Sequence, residues 1–368
     1  MVPIPSCIKN PREYPVLWGF FLLLAACYLV MFMIVPLNSP TPQKDEPPLR
    51  IGFSCEDNPV LLLVADDHQI FREYELDIRM QEYSSSRAVM EAFRKGEADI
   101  IYTNDILAMQ AIRDDANLTI IGSTSRRNDT MLYTRAGVDV NTPQGYNITI
   151  GIPPSLSTFY FIGQYLQAFE IADEEISHIT GETREEGDCC QCSRERPELP
   201  MIRVAEPAVL LDGFCNGTFD AIAGSGLSLD MLCSPVSGTV NSTPLQGGER
   251  YYTLLAVQTN LVDQYPDQTE RFIRSLAAAR DIVRHDPSGA EDLLRSRSEH
   301  SEGCPLGNVS RDDTRLSLDQ SLITMMEKKA DWMDARDRDG NYTIPNILNV
   351  INWTPLETVD PYAVSIIR

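Results

Sequence analysis

Phe93-Arg-Lys-Gly96-Glu-Ala-Asp99-Ile-Ile101 recurs late in the chain as Phe214-Cys-Asn-Gly217-Thr-Phe-Asp220-Ala-Ile222, one pattern F-x-x-G-x-x-D-x-I in two copies. A short amphipathic run leads into each: Val89, Met90 and Phe93 in the first, Leu210, Leu211 and Phe214 in the second. Spacings of one, three and four put these apolar residues on one face of a helix. The glycine suits a helix C-terminus that needs positive φ, and the aspartate opens a buried apolar strand. Four matched types over nine positions make chance a poor account of the repeat. Two copies of one helix–turn–strand unit predict two α/β lobes of related build.

The chain has 368 residues, 43% hydrophobic and 23% charged, ample for two such lobes. A formal net charge of −22 with only 31 Lys+Arg argues against nucleic acid as a partner. Such acidity keeps a protein soluble and repels a distant anion rather than steering it. A salt-adapted surface would show the same balance, so the charge names no ligand.

Val16 to Val35 is an uncharged apolar run of twenty residues, long enough at ~1.5 Å per residue to cross a bilayer core. Lys9 and Arg12 precede it and Lys44 is the one base soon after, which favours an anchor with residues 1–15 inside and the remainder outside. Within the run, Leu24-Ala-Ala-Cys27 has the form of a lipobox, whose alternative outcome is a lipidated Cys27. Either way the bulk of the chain lies outside the cytoplasm. Asn117, Asn128, Asn147, Asn216, Asn241, Asn308, Asn341 and Asn352 each open an N-x-[S/T] sequon, half of the sixteen asparagines, where about two would arise by chance. They mark a glycosylated, exported domain. Cys55, Cys189, Cys190, Cys192, Cys215, Cys233 and Cys304 follow the apolar run. In an oxidising compartment some of them form disulfides, with a connectivity sequence does not fix.

Residues 36–48 form a proline-rich spacer, and the globular part begins at an alternating strand, Leu49-Arg-Ile-Gly-Phe53. A buried helix over Pro59 to Ala65 follows, then a strand over Leu76 to Met80. Ser84 to Arg87 cap the helix that ends at Gly96, Asp99 to Thr103 is a strand, and Leu118 to Gly122 and Met131 to Thr134 are two more. The alternation predicts a largely parallel sheet with both faces covered.

This order resembles the nitrate/sulfonate/taurine substrate-binding proteins of ABC importers. The likeness runs over about residues 49 to 368. It takes in the Ile-Gly-Phe strand, Phe-x-x-Gly-x-x-Asp, Asn147-Ile-Thr-Ile-Gly-Ile152 with Pro154-Ser155, and Tyr265-Pro-Asp-Gln-Thr-Glu-Arg-Phe-Ile273. Asp67-His68-Gln69-Ile70 stands where that family commonly has Glu-Lys-Gly before an early Phe, and Pro154-Ser155 replaces Gly-Ser. Gly224-Ser-Gly226 replaces a Trp-Glu-Pro, and Thr183 to Pro197 is an apparent insertion. The resemblance implies an α/β, two-lobed periplasmic-binding-protein-like (type II) fold behind the N-terminal transmembrane anchor at 16–35. Lobe one would comprise residues 49–135 and 250–368, lobe two residues 136–249. It further implies a non-enzymatic protein that hands a small anionic or heterocyclic ligand to ABC permease and ATPase subunits, with no cofactor. The alternatives are an enzyme like the thiamine-pyrimidine synthases, which share the fold and use iron, and a ligand-sensing ectodomain.

Turns that feed helix starts carry the candidate ligand-binding residues Ser54, Glu56, Ser84, Ser85, Ser86, Thr103, Asn104, Ser155, Ser157 and Thr158. In an open α/β sheet such turns gather at the carboxyl ends of the strands, where ligands bind. Helix N-termini there offer free N–H groups and partial positive charge to an oxyanion. The same residue types serve ordinarily as helix N-caps. Glu56, Asp57 and Asp105 cut against a multiply charged anion and leave room for an amino or heterocyclic group. Cys189-Cys190-x-Cys192 lacks a second cysteine pair or a histidine at ligand spacing and reads as structural rather than metal-binding. Asp337-Arg-Asp-Gly340-Asn reads as a turn.

Overall fold

A computed structural model describes residues 46–138, 140, 148–167, 201–225, 240–298, 314–335 and 346–367. Outside them lie the apolar run 16–35 with Cys27, the cysteines Cys189, Cys190, Cys192, Cys233 and Cys304, the sequon asparagines Asn147, Asn308 and Asn341, and the turn at Asp337. Among the described residues no helix is long and apolar enough to cross a membrane. The elements below all belong to one unit, Pro48–Arg368.

The chain enters on strand β1 (Leu49–Phe53), makes a 3-10 turn at Cys55–Asp57, and continues into helix α1 (Val60–Asp67). Val60 to Ala65 are buried without interruption, because this helix is covered on its outer side as well. A short helix α2 (Ile70–Glu73) precedes β2 (Ile78–Glu82), which starts two residues later than its sequence pattern suggests. Helix α3 (Ser86–Arg94), strand β3 (Ile100–Asn104), helix α4 (Asp105–Arg113) and the long strand β4 (Leu118–Arg127) follow. The next segment builds the second sheet. It contains β5 (Thr130–Thr134), β6 (Thr149–Ile152), α5 (Leu156–Gln167), β7 (Met201–Val204), α6 (Pro207–Asn216), β8 (Ala221–Ser225) and β9 (Asn241–Pro244). The chain returns on β10 (Tyr251–Gln258) and ends with α7 (Thr259–Gln264), α8 (Pro266–His285), α9 (Pro287–Ser298), β11 (Thr314–Asp319), α10 (Gln320–Asp334), α11 (Thr354–Val359) and β12 (Val364–Ser365). The returning α8 is the cover over α1, and Phe272 stacks on Phe71 with ring centroids 6.0 Å apart.

The first sheet runs β12-β11-β4-β10-β3-β1-β2 and the second β7-β6-β8-β5-β9. Within both, three neighbours are parallel (β2-β1-β3 and β7-β6-β8) and the fourth strand is antiparallel and supplied by a crossing between lobes. The sheets are therefore mixed rather than largely parallel. Strand β5, expected at the end of lobe one, hydrogen-bonds to β8 and β9, so the first crossing falls at Asn128–Asp129 and not at 135. The shift has a non-local cause: a strand's sheet is decided by its partners, which its own residues do not name.

The repeat has one physical role in both lobes. Asp99 donates its N–H to the Arg50 carbonyl at 2.8 Å, and its carboxylate takes the Arg50 N–H back at 2.9 Å. Asp220 does the same with Thr149, at 2.9 Å in each direction. Each aspartate thus satisfies a strand-edge N–H and sets the parallel register of the next strand pair. Gly96 and Gly217 hold φ of 72° and 86°, the left-handed conformation that ends the preceding helix. Phe93 and Phe214 bury their rings almost completely.

Among the described residues two crossings join the lobes, Asn128–Asp129 and the segment from Leu245 to Arg250, and the buried Gln246 pins one to the other. Its Oε1 accepts from the Thr130 N–H at 2.8 Å, while its Nε2 donates to the carbonyls of Arg127 (3.2 Å) and Glu249 (3.4 Å).

Candidate functional site

On the lobe-one side, the 3-10 turn after β1 faces the start of α3. Ser54 caps that turn, its hydroxyl accepting from the Glu56 N–H at 3.3 Å. Glu56 reaches across to α3, where Oε2 accepts from both the N–H and the hydroxyl of Ser86, each at 2.9 Å. A helix start favours negative charge through its unpaired N–H groups and dipole. At α3 the chain itself supplies that charge. A second unit of negative charge ~4 Å from Glu56 would be opposed by about 4 kcal/mol at an effective dielectric of ~20.

Asp57 lies behind Glu56 and is fully buried. Its Oδ1 accepts from the Tyr251 hydroxyl at 3.2 Å and from the Asn104 amide at 3.4 Å, while Thr253 donates to its backbone carbonyl at 2.8 Å. Ser125 in turn donates to Thr253 at 2.9 Å. Oδ2 of Asp57 has no hydrogen-bond partner. Burial pushes the Asp57 carboxyl up to about 7, Glu56 adds to the rise, and Ser86, Arg127 and Asn104 oppose it. Burial and the neighbouring Asp57 also hold the Tyr251 phenol well above its ordinary range.

The basic groups of this region are committed. Arg127 pairs with Asp129 at 3.2 Å, donates to the Glu56 carbonyl at 3.1 Å and stacks over the Tyr251 ring at 5.1 Å. Lys328 pairs with Glu249 at 3.0 Å. Lys329 and Asp105, both wholly buried, meet at 2.5 Å, and the other Asp105 oxygen, Oδ1, has no partner. Among the described residues neither Glu56 nor Asp57 has a cationic ion-pair partner.

Helix α5 brings the lobe-two side. Ser155 caps it, accepting from the Thr158 N–H at 3.3 Å, and Ser157 and Thr158 are buried in the first turn. One turn on, the Tyr160 hydroxyl donates to Glu249 at 2.9 Å, and the Tyr160 ring meets Trp332 of α10 edge-on at 5.3 Å. The Lys329 ammonium sits 5.5 Å from the centroids of both the Tyr160 and Phe161 rings. Glu249, at the second crossing, is therefore held by both lobes.

Four of the predicted ligand residues, Ser54, Ser85, Asn104 and Ser155, have their side-chain oxygens engaged as caps; Ser85 accepts from Ala88 and Asn104 from Leu107. Glu56 and Ser86 bind each other, Ser84 is exposed, and Thr103 is buried with its hydroxyl unpartnered. Ser84–Ser86 and Ser155 do not stand at equivalent places in the two lobes. Topology pairs α5, after β6, with α1, after β1, while α3 pairs with α6, which begins at Glu206 and Pro207. Sequence reasoning missed Arg127, Gln246, Glu249, Tyr251 and Lys329. One signal was available for Lys329: it falls on the apolar face set by Leu322, Met325 and Met326, where a lysine breaks the pattern. Among the described residues no group of His, Cys, Asp and Glu could hold a metal ion.

No protein-family model matches the chain, and no curated protein does. Solved structures do. The periplasmic aliphatic sulphonate binding protein SsuA from Escherichia coli superposes with a TM-score of 0.62 at 15% identity, covering 85% of this chain and 100% of that one. The ligand-binding component of an ABC-type import system from Staphylococcus aureus, with zinc bound, gives 0.60 at 12% identity, covering 86% and 99%. The desulfurization enzyme DszB gives 0.52 at 14% identity, covering 84% and 99%. This chain has the two-lobed, periplasmic-binding-protein-like α/β fold that these proteins share.

Proposed function

We propose that this is an exported solute-binding protein, tethered through residues 16–35, that captures a small anionic or heterocyclic ligand and passes it to an ABC permease and ATPase. One observation carries the reading. The same α/β unit is folded twice, and where the chain crosses between the copies Gln246 and Glu249 tie them together. Such an arrangement serves closure of two walls on a ligand. The predicted residues of both walls, Ser54, Glu56, Ser84, Ser85, Ser86, Thr103 and Asn104 on one side and Ser155, Ser157 and Thr158 on the other, would frame the cleft mouth. Exposure of Asn117, Asn128, Asn216 and Asn241 suits glycosylation outside the cytoplasm.

The same fold is carried by an enzyme, so the test must separate capture from turnover. Protein purified from its native source is denatured and any released small molecule identified by mass spectrometry, then added back in a calorimetric titration. A compound that rebinds unchanged at one equivalent supports capture. A compound consumed in excess over protein marks an enzyme, and the binding reading is then withdrawn.

A further inference from the structure

We propose that the ligand presents a cationic N–H group, such as an amine, an amidinium or a protonated ring nitrogen, to Glu56 and Asp57 on the lobe-one wall. The proposal rests on the binding reading above, keeps its heterocyclic ligand class and replaces its anionic one. Two independent observations carry it. The α3 start, the donor set that would receive an oxyanion on this wall, is already filled by the Glu56 carboxylate through two bonds of 2.9 Å. Behind it, the buried Asp57 keeps one carboxylate oxygen, Oδ2, without any donor.

Charge counting points the same way. Asp129, Asp105 and Glu249 each have a base, in Arg127, Lys329 and Lys328. Among the described residues Glu56 has none, so this wall carries at Glu56 a negative charge that no ion pair matches, with the second carboxyl of Asp57 buried behind it. A buried acceptor without a donor is costly, and ligand N–H groups remove that cost on binding. Glu56 is exposed and can meet an entering ligand, whereas Asp57 lies fully buried behind it. Glu56 therefore acts as the specificity-determining residue, admitting cations and repelling oxyanions.

The test uses two probes of one chain length and opposite charge, butylammonium and butanesulfonate, with the whole exported protein. Thermal melts and calorimetry are run on the parent and on Glu56→Gln, which keeps an oxygen for the Ser86 N–H and so preserves the helix cap. The parent should bind butylammonium at least tenfold more tightly than butanesulfonate, and Glu56→Gln should erase most of that ratio. Asp57→Asn should weaken the ammonium alone. A parent that prefers the sulfonate, shows no response to the ammonium, or keeps its ratio in Glu56→Gln overturns the proposal. A co-purified ligand that rebinds yet carries no N–H cation also overturns it while leaving the capture reading intact.

Discussion

Asp57→Asn tests the buried carboxyl from the fold's side. Burial raises this carboxyl from an ordinary 3.8 to about 7, a shift of about 3 units or roughly 4 kcal/mol at ~1.36 kcal/mol per unit. Because the raised group is an acid, the native state holds a proton between about pH 4 and 7 that the unfolded chain has released. From this group alone, stability is greatest below the unfolded value and falls as pH rises toward the folded one. Above about pH 7 the native carboxylate is charged, buried and one donor short. Asparagine removes that charge while its oxygen can still accept from Tyr251 and Asn104, the two donors on Oδ1.

The variant should therefore differ from the parent by no more than about 1 kcal/mol at pH 4, and should be the more stable by about 2–4 kcal/mol at pH 8. Urea unfolding of both proteins at unit pH steps measures the difference directly, and the other carboxylates cancel in the subtraction. A difference that stays flat between pH 4 and 8 would refute the reasoning: Asp57 would then titrate as an ordinary carboxyl. Stabilisation by removing a polar group is the sign of a residue kept for binding rather than for folding.

The repeat's aspartates are matched, so Asp99→Ala and Asp220→Ala should each cost about 1–3 kcal/mol by leaving a strand N–H without its acceptor, read by denaturant melts. Lys329→Met should cost about 3–5 kcal/mol because Asp105 stays buried and unpaired, and adding Asp105→Leu should recover much of it. Equal losses in the single and double variants would show that packing, not charge, is what matters there. Gln246→Ala frees the Thr130 N–H and two crossing carbonyls and should cost about 1–3 kcal/mol, with a broadened spread of lobe separations in X-ray scattering.

Much of the scaffold was legible. An unbroken apolar run placed α1, apolar spacing placed α3, and the glycines of the repeat reported positive φ because few other residues tolerate it. What stayed hidden is non-local. Nothing in Thr130–Thr134 tells which sheet it joins, and nothing near Asp99 names Arg50 as its partner. The site was only half legible for a different reason. A serine before a helix satisfies the same free N–H groups that a ligand would, so Ser54, Ser85 and Ser155 look alike in either role. The difference between the two sides sits instead in charged residues of the turns and crossings, Glu56, Asp57, Arg127 and Glu249, whose contacts are far apart in sequence.

That asymmetry follows from comparing equivalent positions of the two lobes. Both contain a first strand followed by a turn and a buried helix, β1 to α1 and β6 to α5, so the scaffold alone would make the two walls alike. In lobe two the turn gives hydroxyls, Ser155, Ser157 and Thr158, at an α5 start whose N–H groups are donors. In lobe one the equivalent turn gives Cys55-Glu56-Asp57, and Glu56 leaves its own turn to fill the neighbouring α3 start. Donors therefore prevail on one wall and acceptors on the other. A symmetric ligand would gain nothing from such a cleft. A small molecule with a donor end and an acceptor end gains on both walls, and in one orientation only. In the proposed capture, the duplicated fold would supply closure and the lobe-one turn would supply direction.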